Sequence, residues 1–168
     1  SLRVLDIGTG SGCITLALKK ARPTWDVSAW DVDPNALSLA RTNALDNTLE
    51  VDFRQIDVLG SKLPKSQWDI IVSNPPYVPE NLKNTTKPHV LNHEPEHAIF
   101  VPDNRPLLFY EHIIAYAKKQ LVSKGTLYFE GHAPLMDTLK VFLQQAGFSD
   151  IVLRNDFRDN PRLIYAKK

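Results

Sequence analysis

The stretch Ser73-Asn74-Pro75-Pro76-Tyr77 gathers groups able to grip a flat amide or amino group from two sides. Asn74 offers a side-chain carbonyl acceptor. The Pro75 carbonyl is a second, and Tyr77 adds a flat wall with a polar tip. A second set lies upstream. Gly8, Gly10 and Gly12 lack side chains where a backbone must approach a ligand closely. The dinucleotide fingerprint needs a third glycine at position 13, and Cys13 stands there. The loop is therefore G-x-G-x-G, which suits a single nucleoside better than a pyrophosphate. Asp31 follows about 20 residues on, where a carboxylate can accept both ribose hydroxyls. Asp57 could bind the exocyclic amine of an adenine, and Asp6 could meet a ligand ammonium. Carboxylates at the ribose and amine ends, with no basic residue in the glycine loop, fit a cationic adenosine compound such as S-adenosyl-L-methionine.

These residues need a common edge, and the apolar runs supply it. Arg3 to Ile7 reads as a strand, the glycine loop as a turn, and Cys13 to Lys20 as a helix. Asp26 to Trp30 is a second strand closed by Asp31; Asp33-Pro34 opens a second helix. That helix has apolar positions at Ala36, Leu37, Leu39, Ala40, Ala44 and Leu45. Val51 to Ile56 is a third strand ending at Asp57, and Trp68 to Val72 a fourth that runs into Asn74. Pro75 and Pro76 stop that strand because neither has an N–H to give to a sheet. The proline-rich run from Pro75 to Pro106 shows no period and reads as a functional or disordered loop. Leu107 to Val122 is a helix, Gly125 to Glu130 a strand and Pro134 to Ala146 a helix. Ile151 to Leu153 and Leu163 to Ala166 are the last strands. Strands alternating with helices predict an α/β fold, a largely parallel sheet covered on both faces. Ligands bind such sheets at the C-terminal ends of the strands.

Bulk properties narrow the class. The chain has 168 residues, 43% hydrophobic and 23% charged, enough for one domain spanning 1–168 with a sizeable core. A net charge of +1 gives no nucleic-acid footprint over the whole surface. The single cysteine excludes an internal disulfide framework and fits a reducing compartment. No apolar run reaches membrane-spanning length. The expected location is cytoplasmic in a bacterium or the mitochondrial matrix in a eukaryote. The opening Ser1-Leu2-Arg3-Val4-Leu5 starts almost within a strand, so an excised domain that has lost an N-terminal part is expected.

Taken together, the motifs resemble class I methyltransferases, and more narrowly the HemK/PrmC family of protein-(glutamine-N5) methyltransferases that modify peptide chain release factors. The likeness rests on Leu5 to Gly12, Trp30-Asp31, Asp57-Val58 and the Asn-Pro-Pro-Tyr tetrad. It extends to Glu94-Pro95-Glu96-His97-Ala98, which resembles an E-P-x-x-A element, and to Arg154 to Arg162, which resembles a closing R-D-x-x-x-x-x-R segment. Phe129-Glu130-Gly131-His132 departs from the E-H-G or E-x-G frequent at this place in the family. The resemblance implies a Rossmann-like, seven-stranded sheet with its last strand antiparallel. It implies cofactor contacts at Gly8, Thr9, Gly10, Ser11, Gly12, Asp31, Val58 and Asn74. It also implies an acceptor glutamine, in a Gly-Gly-Gln loop of the release factor, held by Asn74, Pro75, Pro76 and Tyr77. The family's N-terminal substrate-recognition domain is expected to be absent from this stretch.

Rival readings are a DNA or RNA amino-methyltransferase using the same tetrad and a binding-only module that keeps the fold. The first would need a basic groove or target-recognition domain; the second is opposed by the intact motifs. No stable nucleic-acid or membrane partner is expected. His93-Glu94-Pro95-Glu96-His97 matches the H-E-x-x-H zinc pattern, but Pro95 breaks the helix that pattern needs, so no metal is expected. His132 reads as a surface or packing residue, and Cys13 as core.

Overall fold

A computed structural model describes residues 1–81 and 100–168. The Glu94–Ala98 element and the His93/His97 pair lie outside the described residues. The elements in order are β1 (Arg3–Ile7), α1 (Cys13–Ala21), β2 (Asp26–Asp31), α2 (Pro34–Asp46), β3 (Asp52–Gln55) and β4 (Trp68–Ser73). Then come β5 (Val78–Pro79), β6 (Phe100–Val101), α3 (Leu108–Gln120), β7 (Leu121–Glu130), α4 (Met136–Gln145), β8 (Ser149–Asn155) and β9 (Pro161–Lys167). Seven strands form one sheet in the order β3-β2-β1-β4-β7-β9-β8, and β5 and β6 form a small parallel pair. Every neighbour pairing from β3 through β7 is parallel; β9 runs antiparallel to both β7 and β8. This is the expected architecture.

The chain direction across the sheet reverses between β1 and β4, which pair directly. A crevice opens beyond the strand ends at such a switch point. β1 therefore delivers the glycine loop, and β4 delivers Asn74, to the two sides of one opening. Ser73 secures this junction: its hydroxyl, buried, donates to the Ile7 carbonyl at 2.6 Å.

The two sheet faces bury different sets. Leu5, Ile7, Trp30 and Ile71 point toward α3 and α4 and share a core with Leu107, Tyr110, Ile113 and Phe129. Trp30 meets Trp68 edge to face at 6.4 Å and Tyr116 at 5.3 Å. The Trp68 indole N–H donates to the Tyr116 hydroxyl at 3.1 Å, and that hydroxyl donates to the Pro64 carbonyl at 3.0 Å. On α2 the buried stripe is Leu37, Ala40 and Ala44. Leu39 and Leu45, expected to be apolar contacts, are exposed instead, because a helix turning 100° per residue buries only the i, i+3, i+7 set against a flat sheet.

Three boundaries and one burial differ from expectation for local reasons. β7 begins at Leu121 rather than Gly125, directly out of α3. The register shift between Trp68 and Ile70, with Lys124 at φ 65°, shows that the added residues bulge. β3 ends at Gln55, so Asp57 lies two residues past the strand, in a turn where its carboxylate accepts from Leu59 N–H at 2.9 Å. The helix expected from Pro134 starts as a 3-10 turn over Ala133–Leu135 and becomes α-helical only at Met136. Cys13 is exposed, not core; Thr15 is the residue α1 buries fully.

Candidate active site

The crevice beyond β1, β2 and β4 is a cleft of about 500 Å³, within the range typical of small-ligand sites. The glycine loop forms one wall. The Gly8 and Thr9 N–H groups both donate to the Trp30 carbonyl, at 2.8 and 3.0 Å, which ties the loop to β2. Gly8 and Gly10 line the cleft, and a methyl group built on either meets no atom within 4 Å. Open space on that side is what a closely approaching ligand requires. Gly12 does another job: it is buried at φ 87°, and a Cβ there would stand 3.3 Å from Ala40 Cβ. Its bareness lets α1 and α2 pack.

Asp31 closes the cleft on the β2 side. One oxygen, Oδ2, accepts from Gly10 N–H at 2.8 Å, and Oδ1 accepts from Asp33 N–H at 3.0 Å. Asp33 caps α2 as expected, accepting from Asn35 N–H at 2.8 Å. Asp57 and Val58 sit on the next wall with Ile56 and Leu59; opposite them are Asn74, Pro75 and Pro76. Asp31, Asp57, Val58 and Asn74 thus share one opening.

Other expected residues take supporting places. Asp6 is fully buried and does not line the cleft. Its Oδ2 accepts from the Thr9 and Thr15 hydroxyls at 2.8 and 2.6 Å, while Oδ1 has no partner among the described residues. Burial pushes its carboxyl pKa up, against the two threonine hydrogen bonds that pull it down, with the Asp31 charge adding to the rise. Thr9 is buried against Asp6, and the Ser11 carbonyl accepts from the Asn43 amide at 3.0 Å. Thr9, Ser11 and Gly12 do not line the cleft; they hold the turn that presents Gly8 and Gly10. Tyr77 lies half-buried to one side, stacked on His132 with ring centroids 5.9 Å apart and planes 12° apart.

Phe109 and Ile113 fall within the helix expected over Leu107 to Val122, with no site role assigned to either from the sequence. Both line the cleft from α3. Their four-residue spacing puts them on one helical face, and that face was the available signal.

The lining chemistry matches a cationic adenosine compound. Three aspartates, Asp31, Asp33 and Asp57, line the cleft; among the described residues no Lys or Arg does; Ile7, Ile56, Phe109 and Ile113 supply apolar walls for a flat ring. The sheet order and the site at its switch point define the class I methyltransferase fold. The chain belongs to the methyltransferase small domain family, whose model matches residues 1–96. It is 40% identical over 164 residues to a release factor glutamine methyltransferase of Flavobacterium psychrophilum, covering 98% of this chain and 58% of that protein. It is 39% identical over 167 residues to the release factor glutamine methyltransferase of Bacteroides thetaiotaomicron, covering 99% and 60%. Among solved structures, TrmN from Thermus thermophilus superposes with a TM-score of 0.70 at 26% identity, over 99% of this chain and 44% of that one. The chain spans about three fifths of the length of the curated relatives it matches. No helix among the described residues is long and apolar enough to cross a membrane.

Proposed function

We propose that this domain transfers a methyl group from S-adenosyl-L-methionine to the side-chain amide nitrogen of the glutamine in a Gly-Gly-Gln loop of a peptide chain release factor. The observation that carries the reading is the single cleft joining Asp31, Asp57 and Val58 to Asn74 and Pro75. The names of the two relatives point to the same acceptor. Their bacterial sources favour a cytoplasmic setting.

In this reading Asp31 holds the ribose hydroxyls, Asp57 the exocyclic amine, and Phe109 and Ile113 pack on the ring. The Gly8–Gly12 turn leaves room for the rest of the cofactor. S-adenosyl-L-methionine, when bound, supplies an activated methyl on a sulfonium centre. The protein's task is the acceptor, because an amide nitrogen is a poor nucleophile: its lone pair is delocalised. Asn74 accepts one amide N–H through its side-chain oxygen, and the Pro75 carbonyl accepts the other. That pairing favours a geometry that frees the lone pair toward the methyl. Pro76 holds the turn and Tyr77 packs against the amide. Positioning and electrostatics carry the rate. With the cofactor held by these residues, the nitrogen would gain the methyl as the carbon–sulfur bond breaks, leaving S-adenosyl-L-homocysteine, and the displaced proton would pass to solvent.

The test is methyl transfer from labelled cofactor, by the full-length protein, to a purified release factor. A Gly-Gly-Ala version of the factor and duplex DNA serve as controls. Label on the wild-type factor alone supports the reading. Label on DNA moves the assignment to a nucleic-acid enzyme, and cofactor binding with no label on any substrate points to a binding-only module.

A further inference from the structure

Tyr77 is held by a neighbour to which the sequence assigned no chemistry. His132 leaves the end of β7, the strand that pairs with β4 through Ser73 and Phe129. The imidazole and the Tyr77 phenol stack nearly parallel. What distinguishes this contact from casual packing is how firmly the His132 segment is fixed. The Tyr110 hydroxyl donates to the Glu130 carbonyl at 3.0 Å. Gly131 N–H donates to the Arg162 carbonyl at 3.0 Å, and the Arg162 guanidinium donates back to the Gly131 carbonyl at 3.3 Å. Leu135 N–H donates to the His132 carbonyl at 2.9 Å. Arg162 is itself steadied by Asp156, 3.6 Å away across the β8–β9 turn. Gly131 is bare for a reason: a Cβ there would stand 2.8 Å from the Tyr110 hydroxyl.

Helix α3, strand β9 and the turn before α4 thus anchor the segment that carries one imidazole. Burial, with the Arg162 charge nearby, holds that imidazole's pKa below its usual value, so the ring is neutral at neutral pH. Tyr77 has two rigid prolines before it and a flat platform beside it. We infer that His132 is a positioning residue: its ring fixes the orientation of Tyr77, and so sets how the Asn74–Tyr77 turn meets the acceptor. This rests on the acceptor role proposed above for that turn.

A platform needs a flat ring, not an ionisable one, and this separates the inference from a merely structural or acid–base role. The experiment compares full-length wild type, His132→Ala and His132→Phe. It measures kcat and KM on the release factor, cofactor affinity, thermal melting, and the Tyr77 ring resonances of ring-labelled tyrosine, assigned by their loss in Tyr77→Phe. His132→Ala should lower kcat by roughly 10- to 100-fold, the scale of an ångström-level misplacement, with cofactor affinity unchanged. His132→Phe should recover most of that loss. The Tyr77 resonances should move in His132→Ala and shift back toward wild type in His132→Phe. Full activity in His132→Ala overturns the inference. So does a His132→Phe variant that melts normally yet is as impaired as His132→Ala, or a Tyr77 spectrum indifferent to both changes. If wild type fails to label the release factor, the proposed function falls, and the Tyr77 spectra decide the His132 inference alone.

Discussion

The Asp31 carboxylate accepts a hydrogen bond from the Gly10 N–H at 2.8 Å, so the end of β2 and the loop after β1 are held as one unit. One side chain therefore faces the cleft and also shapes the wall beside it. Asp31→Ala should weaken cofactor binding by about 1.5–3 kcal/mol, the scale of a hydrogen bond to a charged group, or roughly 10- to 150-fold. Calorimetric titration of S-adenosyl-L-methionine into the full-length protein checks this. Asp31→Asn, which keeps one acceptor oxygen, should fall between wild type and alanine. An unchanged affinity in Asp31→Ala would remove the carboxylate from the binding site.

Asn74 is exposed at the mouth of the same cleft. Asn74→Ala should lower kcat by roughly 100-fold, as loss of one preorganised hydrogen-bonding group does elsewhere, and leave cofactor affinity almost intact. Single-turnover methyl transfer beside cofactor titration separates the two. Equal losses in both would mean that Asn74 holds the cofactor rather than the acceptor.

The close approach of Gly131 to the Tyr110 hydroxyl predicts a coupled pair. Gly131→Ala should destabilise the fold by about 1–3 kcal/mol through overpacking. Adding Tyr110→Phe removes the obstructing oxygen, so the double variant should be more stable than the two single costs added together. Urea unfolding of all four proteins measures this; strict additivity would show that the Gly131 loop moves aside freely.

Two aspartates should bend the pH profile of stability in opposite directions. Burial raises the Asp6 pKa. Its contribution is present below the ordinary aspartate range and is lost as pH rises through the folded-state value. Wild type should therefore gain stability relative to Asp6→Asn as pH falls from neutrality. Asp156 accepts from the Asn160 and Arg158 N–H groups and faces Arg162, and its pKa is lowered, with the Asn160 bond the largest cause. Its contribution is present above the ordinary range and fades as pH falls through the folded-state value. Wild type should lose its margin over Asp156→Asn on acidification. Thermal melts of the three proteins across the acidic range should show the two margins moving in opposite senses.

The sheet and the edge where its cleft opens could be read from the chain because strand ends advertise themselves. Asp31 and Asn74 are polar residues closing apolar runs, and prolines or a helix cap follow at once. Asp57 was legible the same way, though it lies in a turn rather than on the strand. The glycine loop was legible as a loop. The division of labour within it was not, because only packing tells that Gly12 faces Ala40 while Gly8 and Gly10 face open space. Phe109 and His132 were hidden for a related reason. Each matters through a neighbour distant in sequence, and that neighbour is set by sheet register and helix placement. Cys13 misled because it stands two residues, about 200° of helix turn, from Thr15, the position that α1 buries beside Asp6.

The crossing of Trp30 with Trp68 beneath the cleft has an optical consequence. Two indoles held edge to face in a fixed asymmetric setting couple in the near ultraviolet, so the folded domain should show a strong aromatic circular dichroism band. The Trp30 carbonyl also receives the Gly8 and Thr9 N–H groups. The backbone of one chromophore is thus tied to the loop, so filling of the cleft should register as a change in that band, read by light alone.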